Sequence, residues 1–129
     1  MQLTLKNNLP FVTITLQYRE KTIHIPSVLI DTGSASTILS TDQVALLNIS
    51  PLPEDKLFTI RGVGGSEVVY SRKVDFFRVG ESGLANFEIE VGGMDYGFDI
   101  NGILGMDFLT QAGAIINLRT MEITFTAKR

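Results

Sequence analysis

The sequence predicts one all-β domain with one or two short helices, and three observations carry that expectation. Ile, Val and Thr, which suit a pleated, half-buried surface, make up 34 of the 129 residues. Short apolar or alternating runs recur along the chain, divided by Gly, Asn or Pro. No internal repeat, low-complexity tract or linker interrupts them, so residues 1–129 read as a single folding unit. A chain of this length buries roughly two thirds of its unfolded surface, enough for a core without metal or disulfide staples.

Each element has its own reason. Val12, Ile14, Leu16 and Tyr18 alternate with Thr13, Thr15 and Gln17, which makes 11–18 a half-buried strand, and Ile23 and Ile25 do the same across 21–25. Residues 28–31 form a short apolar run that ends in an acid. Runs over 57–61 and 67–79 flank a Gly-rich tip, and Phe87, Ile89 and Val91 alternate with polar residues through 85–91. Strands over 114–118 and 121–126 complete the set. Arg19-Glu20 and Arg119-Thr120 sit where two-residue hairpin turns belong, although neither pair holds the Gly or Asn such turns favour. Ser40-Thr41-Asp42 supplies N-cap chemistry ahead of Gln43 to Leu47, and 106–112 is a second short helix stopped by Gly113. Ser50-Pro51-Leu52-Pro53 reads as a stiff surface loop.

Charge and composition narrow the function classes. The formal charge is −3, from 11 basic and 14 acidic side chains, and the basic residues cluster only as Arg72-Lys73 and Lys128-Arg129. Nucleic-acid binding usually needs a stronger electrostatic footprint. With no Cys there is no thiolate nucleophile and no Cys-ligated zinc, and with one His any Ser/His/Asp triad has a single candidate base. Residues 79–118 lack Lys and Arg and carry Glu81, Glu88, Glu90, Asp95, Asp99 and Asp107, which read as a solvated acidic face. No calcium-loop spacing occurs, so no metal is assigned. The start, Met1-Gln2-Leu3-Thr4-Leu5-Lys6-Asn7-Asn8, has no apolar signal region. No apolar run approaches about 18 residues, and the expectation is a soluble, cytoplasmic protein without membrane contact.

The most informative segment is Val28-Leu29-Ile30-Asp31-Thr32-Gly33-Ser34-Ala35-Ser36-Thr37-Ile38-Leu39. The strand carries Asp31 to an interior position, where an ionised carboxylate needs hydrogen bonds or a proton shared with a second acid. Thr32 and Ser34 offer hydroxyls, and Gly33 lets the backbone turn close to the carboxylate. The plain alternative is an Asp that caps a turn after a strand. Further on, 57–70 reads as two β-arms meeting at Gly62-Val63-Gly64-Gly65, a mobile hairpin with Val63 exposed at its end. Asn101 to Leu109 is an apolar strand that passes through Gly105 into a short helix.

Taken in order, these segments resemble the retropepsin-like aspartic proteases: hydrophobic-hydrophobic-Asp-Thr-Gly-Ser, a Gly-x-Gly-Gly flap, and Ile-Leu-Gly before a helix. The likeness spans about residues 10 to 126. It implies a closed β-barrel of the retropepsin-like type and an aspartic endopeptidase that needs no cofactor. Asp31 would be the catalytic acid, supported by Thr32, Gly33 and Ser34, with Ser34 donating to the ionised form and drawing activity toward lower pH. An extended peptide or protein substrate would lie beneath a flap of Arg61, Gly62, Val63, Gly64 and Gly65. Leu29, Ala35, Ile38, Ile60 and Ile103 would hold it and favour hydrophobic residues around the cleaved bond.

Aspartic-protease chemistry needs two carboxylates, and the chain holds one Asp-Thr-Gly, so a two-fold homodimer is implied. Two features depart from the viral members. Ala35 and Ser36 stand where those place acids, and Met106 stands where they place Arg, so the viral Asp-Arg network cannot form in the same way. The first ten residues match poorly, so the terminal strands, which interleave at the dimer interface in viral members, are expected to pair differently. Other function classes compete. A non-catalytic dimeric peptide-binding or scaffold module would keep the fold, since fold alone does not establish activity. A serine hydrolase would have to use His24, which sits in an alternating strand, and no Gly-x-Ser-x-Gly elbow exists. A ligand-carrying β-barrel leaves Asp31 and the Gly-rich tip without a task.

Overall fold

The computed structural model describes residues 1–62, 65–94 and 99–126, with the backbone path alone at 58, 60–62 and 65–67. Among these residues the alternating runs become ten strands. Eight share one sheet: β1 (Thr4–Lys6), β2 (Leu9–Tyr18), β3 (Lys21–Ile30), β4 (Ile38–Ser40), β5 (Leu57–Gly62), β6 (Gly65–Val79), β7 (Ser82–Gly92) and β8 (Gly102–Leu104). Their order is β1-β2-β3-β8-β4-β7-β6-β5, and a further pairing of β2 with β6 closes β2-β3-β8-β4-β7-β6 into a ring. Strands β9 (Ala114–Asn117) and β10 (Glu122–Phe125) make a separate hairpin. Two short helices complete the fold: α1 (Thr41–Val44), which runs into a 3-10 turn at Ala45–Leu47, and α2 (Met106–Ala112). The predicted all-β class, with its two helices, therefore holds, and the ring-like sheet fits the retropepsin-like fold that the motifs implied.

The core sits inside the ring because the period of two points one face of each strand there. Ile14 and Leu16 of β2, Val74, Phe77 and Val79 of β6, and Ile89 and Val91 of β7 are completely shielded from solvent. Helix α2 adds Phe108, whose ring lies 5.2 Å from that of Phe77 and 5.9 Å, edge-on, from that of Phe87. Full burial of one such side chain stabilises by about 1.5–3 kcal/mol. Both predicted helix signals operate. The Ser40 side chain accepts from Asp42 N–H, and Gly113 closes α2 in the left-handed region at φ 63°. Arg72 of β6 anchors the loop before β5 through Asp55 at 2.8 Å and the Ser50 carbonyl at 3.0 Å.

Several boundaries differ from expectation for identifiable reasons. Pro26 does not divide two strands: β3 runs through it, and the β2–β3 register slips between Val12 and Ile14, a bulge in which Ser27 takes φ 57°. Asn101 braces that bulge, its side chain donating to the Pro26 carbonyl at 2.8 Å. Arg19 and Glu20 form the two-residue turn despite lacking Gly, both with positive φ, and Asp75 accepts from Arg19 N–H at 2.8 Å. The second expected two-residue turn is instead a four-residue loop, 118–121, since Asn117 pairs with Glu122. There Asn117 Oδ1 accepts from both Arg119 N–H and Thr120 N–H. Strands β1 and β4 were not anticipated. The N-terminal residues pair within the chain, with Gln2 opposite Glu122 and Leu3 N–H on the Met121 carbonyl. No helix among the described residues is long and apolar enough to cross a membrane.

Candidate active site

Strand β3 delivers Asp31 to its place. Val28, Leu29 and Ile30 pair in parallel with Gly102, Ile103 and Leu104 of β8, and Asp31 N–H continues the ladder one step further by donating to the Leu104 carbonyl at 3.0 Å. The chain then turns: Ser34 N–H donates to the Asp31 carbonyl at 3.1 Å, and Gly33 N–H donates to Asp31 Oδ1 at 2.9 Å. A Cβ on residue 33 would stand 3.2 Å from that oxygen, so glycine keeps the contact uncrowded. Asp31 is half-buried in the single chain, one residue past the strand, and not in the interior as the apolar run suggested. Thr32 is exposed beside it. Ser34 departs from expectation too. Its hydroxyl donates to the Ser36 carbonyl at 2.7 Å and is committed there, so the donor to the Asp31 carboxyl is a backbone amide.

The predicted pocket residues divide into two groups. Leu29 of β3, Ile103 of β8 and Ile38 of β4 occupy one row across three neighbouring strands, as register partners Leu29–Ile103 and Ile38–Ile103. Leu29 and Ile103 belong to a small apolar cluster separate from the main core, built on Phe11, Ile100 and Ile103 with Leu9, Leu29 and Met94 against it. Their neighbours Val28, Ile30 and Leu104 face the other way, into the core. The alternation that packs the fold thus builds a second apolar cluster on the opposite face of β3, with Ile103 and Ile38 each 8% exposed in the single chain. Ala35 is exposed in the same loop. The second group lies on the two long arms: Ile60, Arg61 and Gly62 end β5, and Gly65 opens β6 opposite Gly62. Val63 and Gly64 lie outside the described residues.

Sequence reasoning did not single out Phe11 and Ile100, which pack with Ile103, or the supports behind the loop. Met106 N–H and Asp107 N–H, at the start of α2, donate to the carbonyls of Ser34 at 2.8 Å and Ala35 at 3.2 Å. Ser36 Oγ donates to Glu90 Oε1 at 3.0 Å. Burial pushes the Glu90 carboxyl above its ordinary range, the Ser36 hydrogen bond draws it back, and the charges of Asp107 and Glu88 push it up again. His24 is paired across β2–β3 with Thr15, Oγ1 to Nδ1 at 2.9 Å on the exposed face, which suits a strand residue and not a hydrolase base.

No curated protein is similar enough to the chain to count as a match. A family model described as "Aspartyl protease" does match, over residues 14–108, a span that takes in the Asp31 turn, both long arms and the Gly105 junction. The chain belongs to that family of retropepsin-like aspartyl proteases.

Proposed function

We propose that the protein is a homodimeric aspartic endopeptidase whose site is completed when Asp31 of one protomer meets Asp31 of the partner subunit. The observation that carries this reading is the Asp31 turn itself. A strand leads into an acid, one residue past its end, whose carboxyl is held by the Gly33 amide and which follows the apolar row of Leu29, Ile103 and Ile38. Two further features support dimerisation. The chain supplies one Asp-Thr-Gly. The described pairing of β9 is with β10 on one side, and Ile115 and Leu118 are 58% and 66% exposed at that hairpin, an apolar edge suited to a second copy.

The chemistry follows from two like charges at close range. Carboxyls about 3 Å apart cannot both ionise, so the pair holds one proton, and its two apparent pKa values belong to the dyad. The ionised acid takes a proton from a bridging water as the water attacks the peptide carbonyl. The protonated acid donates to the carbonyl oxygen, giving a tetrahedral diol; the acid that took the water proton then passes it to the leaving nitrogen as the C–N bond breaks, and the other recovers its proton from a diol hydroxyl. Thr32 would clasp its counterpart across the two-fold axis. The substrate binds as an added strand beneath the β5–β6 arms, with main-chain hydrogen bonds giving affinity and the apolar row selecting hydrophobic side chains.

The test incubates the protein and its Asp31→Asn variant with a diverse peptide library from acidic to neutral pH and reads new termini by mass spectrometry. Cleavage between hydrophobic residues by the wild type alone is the expected result. A folded dimer that cuts nothing over that range would instead be a peptide-binding module.

A further inference from the structure

We infer that Asp107 is the positioning residue for Asp31, acting through Thr37; the inference rests on the proteolytic reading for its effect on rate but not for its effect on structure. Thr37 is completely buried, and each of its polar groups has a partner. Its N–H donates to Asp107 Oδ2 at 3.1 Å and its hydroxyl donates to Asp107 Oδ1 at 2.7 Å. The same hydroxyl accepts from Gly105 N–H at 3.1 Å, and the Thr37 carbonyl accepts from Glu90 N–H at 2.9 Å. A carboxylate suits this task because its two oxygens meet two donors of one residue at once.

The geometry ties this clamp to the acid. The segment from Asp31 to Thr37 is fastened at both ends to one continuous stretch of chain. Asp31 N–H holds the Leu104 carbonyl at 3.0 Å, and Thr37 holds Gly105 and Asp107 just beyond it. Between the ends, Ser34 and Ala35 carbonyls take the first amides of α2. Without the Asp107 carboxylate, the Thr37 end loses two of its bonds and keeps those from Gly105 N–H and Glu90 N–H, so the turn that carries Gly33 N–H to Asp31 Oδ1 is held more loosely at that end. Among the described residues Asp107 makes no hydrogen bond to Gly33 or Asp31, so the effect on the carboxyl is transmitted by the loop.

The experiment uses the full chain with Asp107→Ala, Asp107→Asn, Thr37→Val and Thr37→Ser. A displacement of about 1 Å at a reacting group costs on the order of 10²-fold. The expected result is a fall of about that size in kcat per active site for Asp107→Ala and Thr37→Val, sites being counted with a tight-binding statine-type inhibitor. KM should stay within roughly threefold, since the apolar row is untouched. Thr37→Ser keeps both donors and should retain rate within roughly threefold, while Asp107→Asn should fall between. The double variant Asp107→Ala/Thr37→Val should be no worse than either single change, because both break one unit. A second readout needs no turnover: amide exchange at Gly33 and Ser34 should quicken at least about tenfold in Asp107→Ala, with Leu16 and Ile25 unchanged. Three results would overturn the inference: fewer titratable sites at unchanged kcat per site, exchange at Gly33 and Ser34 that does not respond, or exchange that quickens uniformly across the sheet. Altered exchange in a protein that cuts no peptide would leave the clamp standing and overturn the proteolytic reading alone.

Discussion

Gly105→Ala is the single-atom test of how the Asp31 loop meets α2. The glycine has φ −99°, open to any residue, so the cost of a methyl group is contact and not backbone conformation. An ideal Cβ there stands 2.3 Å from the Ser36 carbonyl oxygen, 2.6 Å from its carbon and 3.0 Å from the Ser34 oxygen. A relaxed carbon–oxygen contact needs about 3.3 Å, so loop and helix must part by about 1 Å. The Met106 N–H bond to the Ser34 carbonyl, now 2.8 Å, then stretches past hydrogen-bond range. Overpacking of this kind costs about 1–3 kcal/mol. For a chain of this size that is roughly 5–10 °C in Tm. Because Asp31 rides on the displaced loop, kcat/KM should fall by about 100-fold. The assay pairs scanning calorimetry with hydrolysis of a fluorogenic peptide carrying hydrophobic residues at the cut. An alanine variant that keeps wild-type Tm and activity within threefold would show that loop and helix do not touch as described.

Three further outcomes can be checked independently. The raised Glu90 carboxyl means that the folded state holds its proton more tightly than the unfolded chain, so this group favours the fold at low pH and opposes it as pH rises through the carboxylate range. Glu90→Gln, which keeps an acceptor for Ser36, should therefore raise Tm by roughly 1–3 °C at about pH 7 and leave it unchanged at about pH 3.5. Phe108→Ala empties a fully buried aromatic position among Phe77, Phe87 and Phe125 and should cost about 3–5 kcal/mol, read as a lower denaturant midpoint at unchanged slope. Ile115→Glu places charge on the exposed β9 edge; sedimentation should find monomers and dilute-enzyme cleavage should drop by about tenfold or more, whereas an active dimer would place the contact elsewhere.

Much of this was legible in local sequence. Alternation located β2 and β7, Gly113 marked the end of α2, and Gly33 marked where the backbone turns close to the Asp31 carboxyl. What escaped lacked a local signature. Strands β1 and β4 are three residues each, too short to express a period. Pro26 looks like a break, and only the bulge facing Thr13 lets β3 pass through it. Ser34 is expected to donate to the Asp31 carboxylate, whereas its hydroxyl donates to the Ser36 carbonyl two residues on, a choice no residue type signals. Asp107 gave no signal at all, because an acid in the first turn is what any helix favours, and its partner Thr37 lies 70 residues earlier.

That separation bears on the order of events during synthesis. The Asp31 segment leaves the ribosome early, but Leu104, Gly105 and Asp107, the groups that fasten it, come from the last third of the described chain. Parallel pairing of β3 with β8 must close a long loop before any contact repays the lost entropy, which makes it a slow, late step. A growing chain therefore carries Asp31 before the groups that fasten its loop exist. The topology acts as a timing device: the loop around Asp31 sets only once β8 and α2 have been made.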